Sequence, residues 1–305
     1  MLADLKELWR FRELLWAMSE RELKIRYKNS ILGFFWSLAN PLATVLVMTF
    51  VFKVFLRNET PNYSVYVLAA YIPFIFFQFA IMDSAQSVLI QLPVVKKVYF
   101  PREILPLSSV LANFVHFCLA LVVFFVYLFG LWAVTGFEVS PFTWRIGFLS
   151  VLMVLQLILV TGLALLVSAY NVFYEDVKYV VSVLLYLLFF LTPILYFVET
   201  VKYALRADYP AYAELFFALY HLNPMAVFST AYKRVLVPPG PVDAGVDPTA
   251  AATDGVTQIS PGADLVPMLP FNWGFFALAA GMALLFLWLG YAQFNKLKWR
   301  FVERP

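Results

Sequence analysis

The chain has 305 residues, of which 63 % are hydrophobic and 13 % charged, with a mean hydropathy of +0.80. Soluble globular domains are about half apolar and about one quarter charged, so a water-soluble fold is excluded. The net charge of +3 is small, and the single Cys118 rules out an intrachain disulfide. Where the charges lie therefore says more than their sum.

The first thirty residues mix both charge signs, unlike the short basic leader of a secretory signal, so the N-terminus reads as mature. On a helical wheel Lys6, Arg10, Glu13 and Glu20 fall within about 80° of arc. Leu5, Leu8, Trp9, Leu15, Trp16 and Met18 occupy much of the remainder. This pattern predicts an amphipathic helix in the cytoplasmic interface, with its tryptophans at headgroup depth. Arg21, Lys24, Arg26 and Lys28 then form a basic collar ahead of the apolar stretch Phe34–Phe52. That stretch suffices to cross a hydrocarbon core of about 30 Å. The collar fixes the N-terminus in the cytoplasm. It is equally suited to drawing an anionic lipid headgroup to the membrane surface.

Five further segments are long and apolar enough to span: Val65–Ile90, Ser108–Val134, Ile146–Tyr170, Tyr179–Val198 and Phe271–Phe294. Ala211–Val237 is also apolar, but His221-Leu222-Asn223-Pro224 interrupts it. Its halves are too short to cross alone and are predicted to dip in and return as two short re-entrant outer helices. A seventh span would put the basic tail with Lys296, Lys298, Arg300 and Arg304 outside, against the positive-inside bias. The expected fold is an all-α polytopic membrane protein with six transmembrane helices and one domain over residues 1–305. Its parts are the interface helix 1–30, five spans in 34–198, re-entrant helices and an acidic loop in 199–270, a sixth span at 271–294 and a cytoplasmic tail at 295–305.

In the sixth span Ala277 and Gly281 make a small-xxx-small pair suited to close helix packing. Val237–Pro270 is rich in Pro, Gly and Asp and holds no Lys, Arg or aromatic residue, which predicts a flexible acidic loop.

Enzyme signatures are missing from the sequence. No Gly is followed by Lys, so no phosphate-binding P-loop exists, and the two histidines, His116 and His221, are far apart. No catalytic residue and no metal ligand set is therefore assigned, and nothing points to a nucleic-acid partner. Ion-coupled transport needs ionisable groups within the spans. Asp83 and His116, with Gln78 and Gln156 as neutral companions, supply few, and Asp83 is expected to be solvated or paired with Lys96 or Lys97. The energy source is thus expected in another subunit.

The segment from Leu92 to Pro106 joins the second and third spans on the cytoplasmic side. Pro93, Pro101 and Pro106 stiffen it and leave room for a short helical piece between the first two. It is expected to display Lys96 and Lys97 beside Tyr99 and Phe100, a basic and aromatic knob of the kind that anchors interfaces.

Four motifs occur in order along the chain. They are Arg21…Arg26-Tyr27…Ser30…Leu32-Gly33…Trp36…Pro41, the segment Lys96 to Pro106, Tyr174-Glu175-Asp176-Val177 leading to Thr192-Pro193-Ile194-Leu195-Tyr196, and Asn223-Pro224. Together they resemble the type-2 ABC exporter permeases, above all those exporting O-antigen, capsule or teichoic acid chains. The resemblance implies a homodimer in the bacterial plasma (inner) membrane, both termini cytoplasmic, bound to two copies of a separate ABC ATPase. That subunit would bind ATP and Mg, and this chain would hold no cofactor. The ATPase would meet Lys96, Lys97, Tyr99, Phe100, Arg102, Glu103, Glu175 and Asp176. A lipid-linked polysaccharide would pass between two copies along the first, second and fifth spans, among membrane lipids. The Val237–Pro270 loop is longer and more acidic than is usual in that family.

Sugar rings carry an apolar C–H face that can lie on an aromatic side chain, so an aromatic conduit would let a glycan slide. Candidate lining residues are Tyr71, Phe74 and Phe77 in the second span and Tyr186, Phe189, Phe190 and Tyr196 in the fifth. Tyr186, Phe189 and Phe190 fall on one helix face. A type-2 permease for a small drug or lipid is the alternative within transport. A membrane glycosyltransferase or ligase using lipid-linked sugar is the alternative from another class, and it would need a basic or aromatic grip that the acidic loop lacks.

Overall fold

The computed structural model describes residues 2–27, 34–55, 57–58, 60–134, 144–238, 240, 242–243, 265–266 and 268–303. The N-terminal segment forms two helices, α1 (Leu2–Arg10) and α2 (Arg12–Tyr27), where one was expected. Phe11 makes the break, its N–H lying 3.1 Å from both the Glu7 and the Leu8 carbonyls. The kink turns Leu8, Phe11, Leu14, Leu15 and Met18 onto the bundle and leaves Trp9 and Trp16 exposed.

Next come α3 (Phe34–Phe50), running on as a π-helical turn to Phe55, and α4 (Tyr63–Ile90). A single turn, α5 (Leu92–Val95), leads to α6 (Ile104–Val134). A 3-10 turn at Trp144–Phe148 opens α7 (Leu149–Asn171), and α8 is Val177–Leu191. The chain ends with α9 (Val198–Asp208), α10 (Ala213–Tyr220), α11 (Pro224–Leu236) and α12 (Trp273–Leu297), which closes in a 3-10 turn to Glu303. Among the described residues four helical stretches are long and apolar enough to cross a membrane: Tyr63–Ile90, Ile104–Val134, Trp144–Asn171 and Trp273–Phe301. The expected first and fifth spans correspond to the shorter apolar helices Leu42–Phe55 and Val177–Leu191. The protein is a multi-pass, predominantly helical membrane protein.

The fifth apolar segment stops being helical at Leu191, earlier than expected. Pro193 has no N–H and pushes its predecessor out of the helical region; Thr192 is extended, with φ −102° and ψ 135°. At 1.5 Å per residue α8 is about 22 Å long. The interruption at His221–Pro224 falls where the sequence puts it, between α10 and α11. Asn223 caps α11, its side chain accepting from Met225 N at 3.0 Å, with Pro224 at the first helical position. The Asn223 amide donates to Leu191 O and Thr192 Oγ1, both at 3.3 Å, and so supplies a partner to a carbonyl orphaned at the end of α8.

α4 is the central helix, buried along most of its length and packed by α3, α6, α7, α8 and α11. The tightest partnership is α7 with α12. The two run in the same direction and their backbones meet at Gly162 and Gly290. A Cβ on Gly290 would collide with the Gly162 carbonyl, and one on Gly162 with the Leu287 backbone nitrogen. The expected Ala277–Gly281 pair is not the close contact: a Cβ at Gly281 meets nothing within 4 Å. Small size permits close approach, but the neighbour's register decides which glycine is used.

Buried polar side chains tie the helices together. Gln156 on α7 donates to the Pro73 carbonyl of α4 at 2.7 Å, and Asn171 donates to Ala85 O at 2.8 Å. Asp83 accepts from Asn113 of α6 at 2.8 Å, a partner on the neighbouring span. The ends of the acidic segment are pinned by a small antiparallel pair, β1 (Val242–Asp243) with β2 (Leu265–Val266), whose Asp243 N donates to Thr60 Oγ1 at 2.9 Å. Of the expected flexible loop 237–270, residues 239, 241, 244–264 and 267 lie outside the described residues.

Candidate functional site

A second hydrophobic core closes one end of the bundle. Val88, Val95, Phe100, Ile104, Leu105, Val172, Phe294 and Phe301 converge there from the ends of α4, α6, α7 and α12, with α1 and α2 packed on the outside. The α4–α6 loop therefore has an inward half and an outward half. Lys96, Lys97, Val98 and Tyr99 point out, with Val98 58 % and Tyr99 74 % exposed. Phe100 is 5 % exposed and Glu103 1 %, so neither belongs to a displayed knob. Burying an aromatic ring pulls the loop down at Phe100, and Glu103 follows it inward as α6 begins. The helical piece is also shorter than expected and lies around Pro93, while Lys96 to Pro101 is turn and coil.

The C-terminal turn holds this loop in place. Lys298 Nζ donates to Glu103 Oε1 at 2.6 Å, and both side chains are largely buried. Arg102 donates to the Lys298 carbonyl and lies over the Trp299 ring at 5.6 Å. Burial pulls the Arg102 guanidinium below its ordinary value, with Glu103 and Tyr99 opposing. On the other side Tyr99 donates to Glu7 Oε1 of α1 at 3.1 Å, and that hydrogen bond raises the phenol. These residues border a cleft of about 330 Å³. Arg300 lies over Phe173 at 5.7 Å and Phe301 packs on Phe173, so the same turn also braces the α7–α8 corner. Glu175 and Asp176 sit exposed on that corner.

Sequence reasoning missed Glu7, Lys298 and Trp299. The signal was present in Lys298-Trp299-Arg300-Phe301, where aromatics alternate with cations that topology alone would explain.

In the basic collar, Arg21 and Lys24 are exposed, and Lys24 pairs with Glu20 at 2.6 Å within α2. The side chains of Arg26 and Lys28 lie outside the described residues. Glu22, between Arg21 and Lys24 in sequence, turns inward and accepts from Ser109 Oγ at 2.8 Å and Ser108 Oγ at 3.3 Å of α6. α2 is thereby anchored to the bundle.

The aromatic candidates divide in two. Tyr71, Phe74 and Phe77 on α4 are 9 %, 0 % and 3 % exposed and belong to the main core. Phe189 joins them, its ring 5.5 Å from Phe74 and 6.2 Å from Tyr71. These four rings pack together within one chain, the three on α4 buried and Phe189 partly buried against them. Tyr186 and Phe190 are exposed at 62 % and 53 % and stack edge-on at 5.3 Å. Tyr196 lies just past the end of α8, its hydroxyl 3.0 Å from Phe190 O and 3.2 Å from Tyr220 Oη. The structure thus brings Tyr186, Phe190 and Tyr196 onto one surface and takes the α4 rings away from it.

Among the described residues no group of His, Cys, Asp and Glu could hold a metal ion. Comparison with known proteins agrees with a transport component. The chain is 32 % identical over 237 residues to the O-antigen export system permease protein RfbA of Myxococcus xanthus, covering 77 % of this chain and 84 % of that one. It is 28 % identical over 291 residues to the protein of the same name from Klebsiella pneumoniae, covering 95 % of this chain and 94 % of the relative. Residues 13–232 match the ABC-2 type transporter family, and the chain belongs to that family, whose permeases work with an ABC ATPase.

Proposed function

We propose that this chain is the membrane-spanning subunit of an ATP-driven exporter that moves a lipid-linked, O-antigen-type polysaccharide out across the bacterial inner membrane. The observation that carries the reading is the near end-to-end likeness to O-antigen export permeases, 95 % of this chain against 94 % of one of them. The permease crosses six times with both termini in the cytoplasm, α3 and α8 being the two shorter crossings and α10 and α11 dipping in from outside. ATP and Mg are bound by the partner ATPase, two copies of which dock on two copies of this chain. Lys96, Lys97, Val98 and Tyr99 form the docking tip, with Glu175 and Asp176 beside it. Arg102 and Glu103 transmit the motion through the C-terminal turn to α12.

The broad exposed face of α8 supports a dimer. Tyr179, Val183, Tyr186, Leu187, Phe190 and Leu191 are each at least 50 % exposed, leaving a wide aromatic surface for a second copy and the passing glycan. The test is purification from the native membrane in mild detergent with quantification of what accompanies the chain. An equimolar Walker-motif ATPase, together with loss of surface polysaccharide when the gene is deleted, is expected. Repeated purification without any ATPase overturns the reading.

A further inference from the structure

At the end of the bundle opposite the coupling loop, two adjoining cavities share Arg234, Leu269, Pro270, Phe271 and Trp273 as a common wall. One, of about 310 Å³, adds Lys202 and His221. The other, of about 360 Å³, adds Trp144, Arg145 and Phe148. Each is at the lower end of the range for small-molecule sites, roughly 300–1,000 Å³.

The charge balance at this wall is uneven. Neither cavity has a carboxylate among its described lining residues. Glu199 lies behind the wall, 2 % exposed, and its Oε1 already accepts from Arg234 at 3.3 Å and Leu269 N at 2.8 Å. Lys233 adds a further buried cation, satisfied by the Tyr196 carbonyl at 2.8 Å and the Phe197 ring at 4.6 Å. Glu214 is held by Arg206 at 2.7 Å and reaches Lys202 only from beyond ion-pair distance. Arg145 and Arg234 line one cavity, close enough for each to oppose the other's charge. Glu199 balances Arg234, so this cavity keeps the unbalanced charge of Arg145.

The surroundings narrow the kind of anion. Arg234 lies over the Phe271 ring at 5.9 Å and Lys202 over Phe217 at 5.6 Å, so ring contacts steady both cationic heads. Guanidinium forks match phosphate oxygens better than a point charge does. Trp144 and Trp273, 90 % and 63 % exposed, stand at the mouth, and tryptophan at the ends of membrane helices marks the lipid–water boundary. An anion at that depth beside Phe148 and Phe271 carries an apolar part of its own.

We propose that these cavities form a site for the phosphate-bearing headgroup of a membrane lipid, held by Arg145, Arg234 and Lys202, with its apolar chain against Trp144 and Phe148. Placing the site in the outer leaflet rests on the span orientation proposed above; the binding chemistry does not. A phospholipid and a polyprenyl pyrophosphate present the same phosphate oxygens, and the test separates them.

The test is native mass spectrometry of the full chain purified with whatever partners it retains. Phosphatidylglycerol, polyprenyl pyrophosphate, phosphate-free diacylglycerol and inorganic phosphate are each added. At least tenfold preference for a phosphate-bearing lipid over diacylglycerol is expected. The double variant Arg145→Gln/Lys202→Gln is expected to lose about tenfold in retention. Arg206→Gln, in the exposed pair outside both cavities, keeps wild-type retention. Trp144→Ala, at a 90 % exposed position that cannot be needed for folding, weakens retention of lipid. Stronger retention of polyprenyl pyrophosphate assigns a glycan carrier, and stronger retention of phosphatidylglycerol assigns bulk lipid; either upholds the site. Equal retention by the double variant, or displacement of lipid by equimolar inorganic phosphate, overturns it. ATPase co-purification is read in the same sample, so failure of the exporter reading shows separately.

Discussion

α12 and α8 are both apolar helices, yet they meet the bundle in opposite ways. α12 lies with its backbone against α7 at Gly162 and Gly290. α8 touches α4 and α7 but buries a single residue, Leu185, and leaves Tyr179, Val183, Tyr186 and Phe190 uncovered. Lipid tails are as apolar as leucine, so hydrophobicity alone does not draw membrane helices together. Small residues let α12 reach van der Waals contact along its axis, while aromatics hold α8 open toward a further surface. The first pair is scaffold, and the second is the working face of the function proposed above.

The scaffold half of that comparison breaks most severely at a glycine. Gly290→Val places side-chain carbon inside the Gly162 carbonyl contact, which only separation of the helices relieves. The loss is expected to reach or pass the upper end of the 1–3 kcal/mol typical of overpacked cores, about 3 kcal/mol. It would appear as a lower melting temperature and a broadened size-exclusion peak. Gly281→Val, with nothing within 4 Å, is expected to stay within about 0.5 kcal/mol of wild type. Equal melting of the two variants would show that α7 and α12 are not joined at these residues.

The Lys298–Glu103 clamp extends the scaffold to the α4–α6 loop. Lys298→Ala leaves the Glu103 carboxylate buried without its cation, and Glu103 Oε2 already has no partner. Removing one member of a buried pair costs about 3–5 kcal/mol, with the lower end apt beside the aqueous face. Glu103→Gln/Lys298→Gln removes both charges and is expected to recover most of the loss. A double variant melting no higher than Lys298→Ala would show that the ion pair is not what holds the turn.

The end of α8 is tied less strongly. Asn223→Ala removes both the cap of α11 and the bonds to Leu191 and Thr192. A loss of about 1–2 kcal/mol is expected, in the range of N-cap deletions. Asn223→Asp keeps the cap acceptor but not the amide donor, so a variant as damaged as Ala would assign the effect to the α8 tie.

The break between α10 and α11 was legible because it depends on local chemistry. Asn223-Pro224 acts on its own backbone, and the structure interrupts helix there as expected. Pro193 ends α8 by the same local chemistry, although the expected span Tyr179–Val198 ran through it. What depends on a distant neighbour was not legible. Gly281 and Gly290 are equivalent by composition, and only the position of Gly162 selects one of them. Phe74 and Phe190 are both phenylalanines on apolar helices, but α4 is surrounded while α8 is not. Phe100 and Glu103 turned out to face inward because the tail, nearly two hundred residues later, supplies Lys298 and Phe301.

The working face gives the smallest stability effect and the most direct contrast. Tyr186→Ala and Phe190→Ala remove exposed rings that touch each other and little else on α4, so melting is expected to move by no more than about 0.5 kcal/mol. Phe74→Ala empties the core instead and is expected to cost about 3–5 kcal/mol. If α8 carries the glycan, surface polysaccharide falls several-fold in the Tyr186→Ala/Phe190→Ala double variant while ATPase co-purification is unchanged. A double variant that exports normally would assign the exposed stripe to lipid contact alone. One that loses export together with ATPase or dimer would make it an assembly surface. Only loss of export with assembly intact marks a path, because rings that contact the moving chain matter to its passage and not to the resting fold.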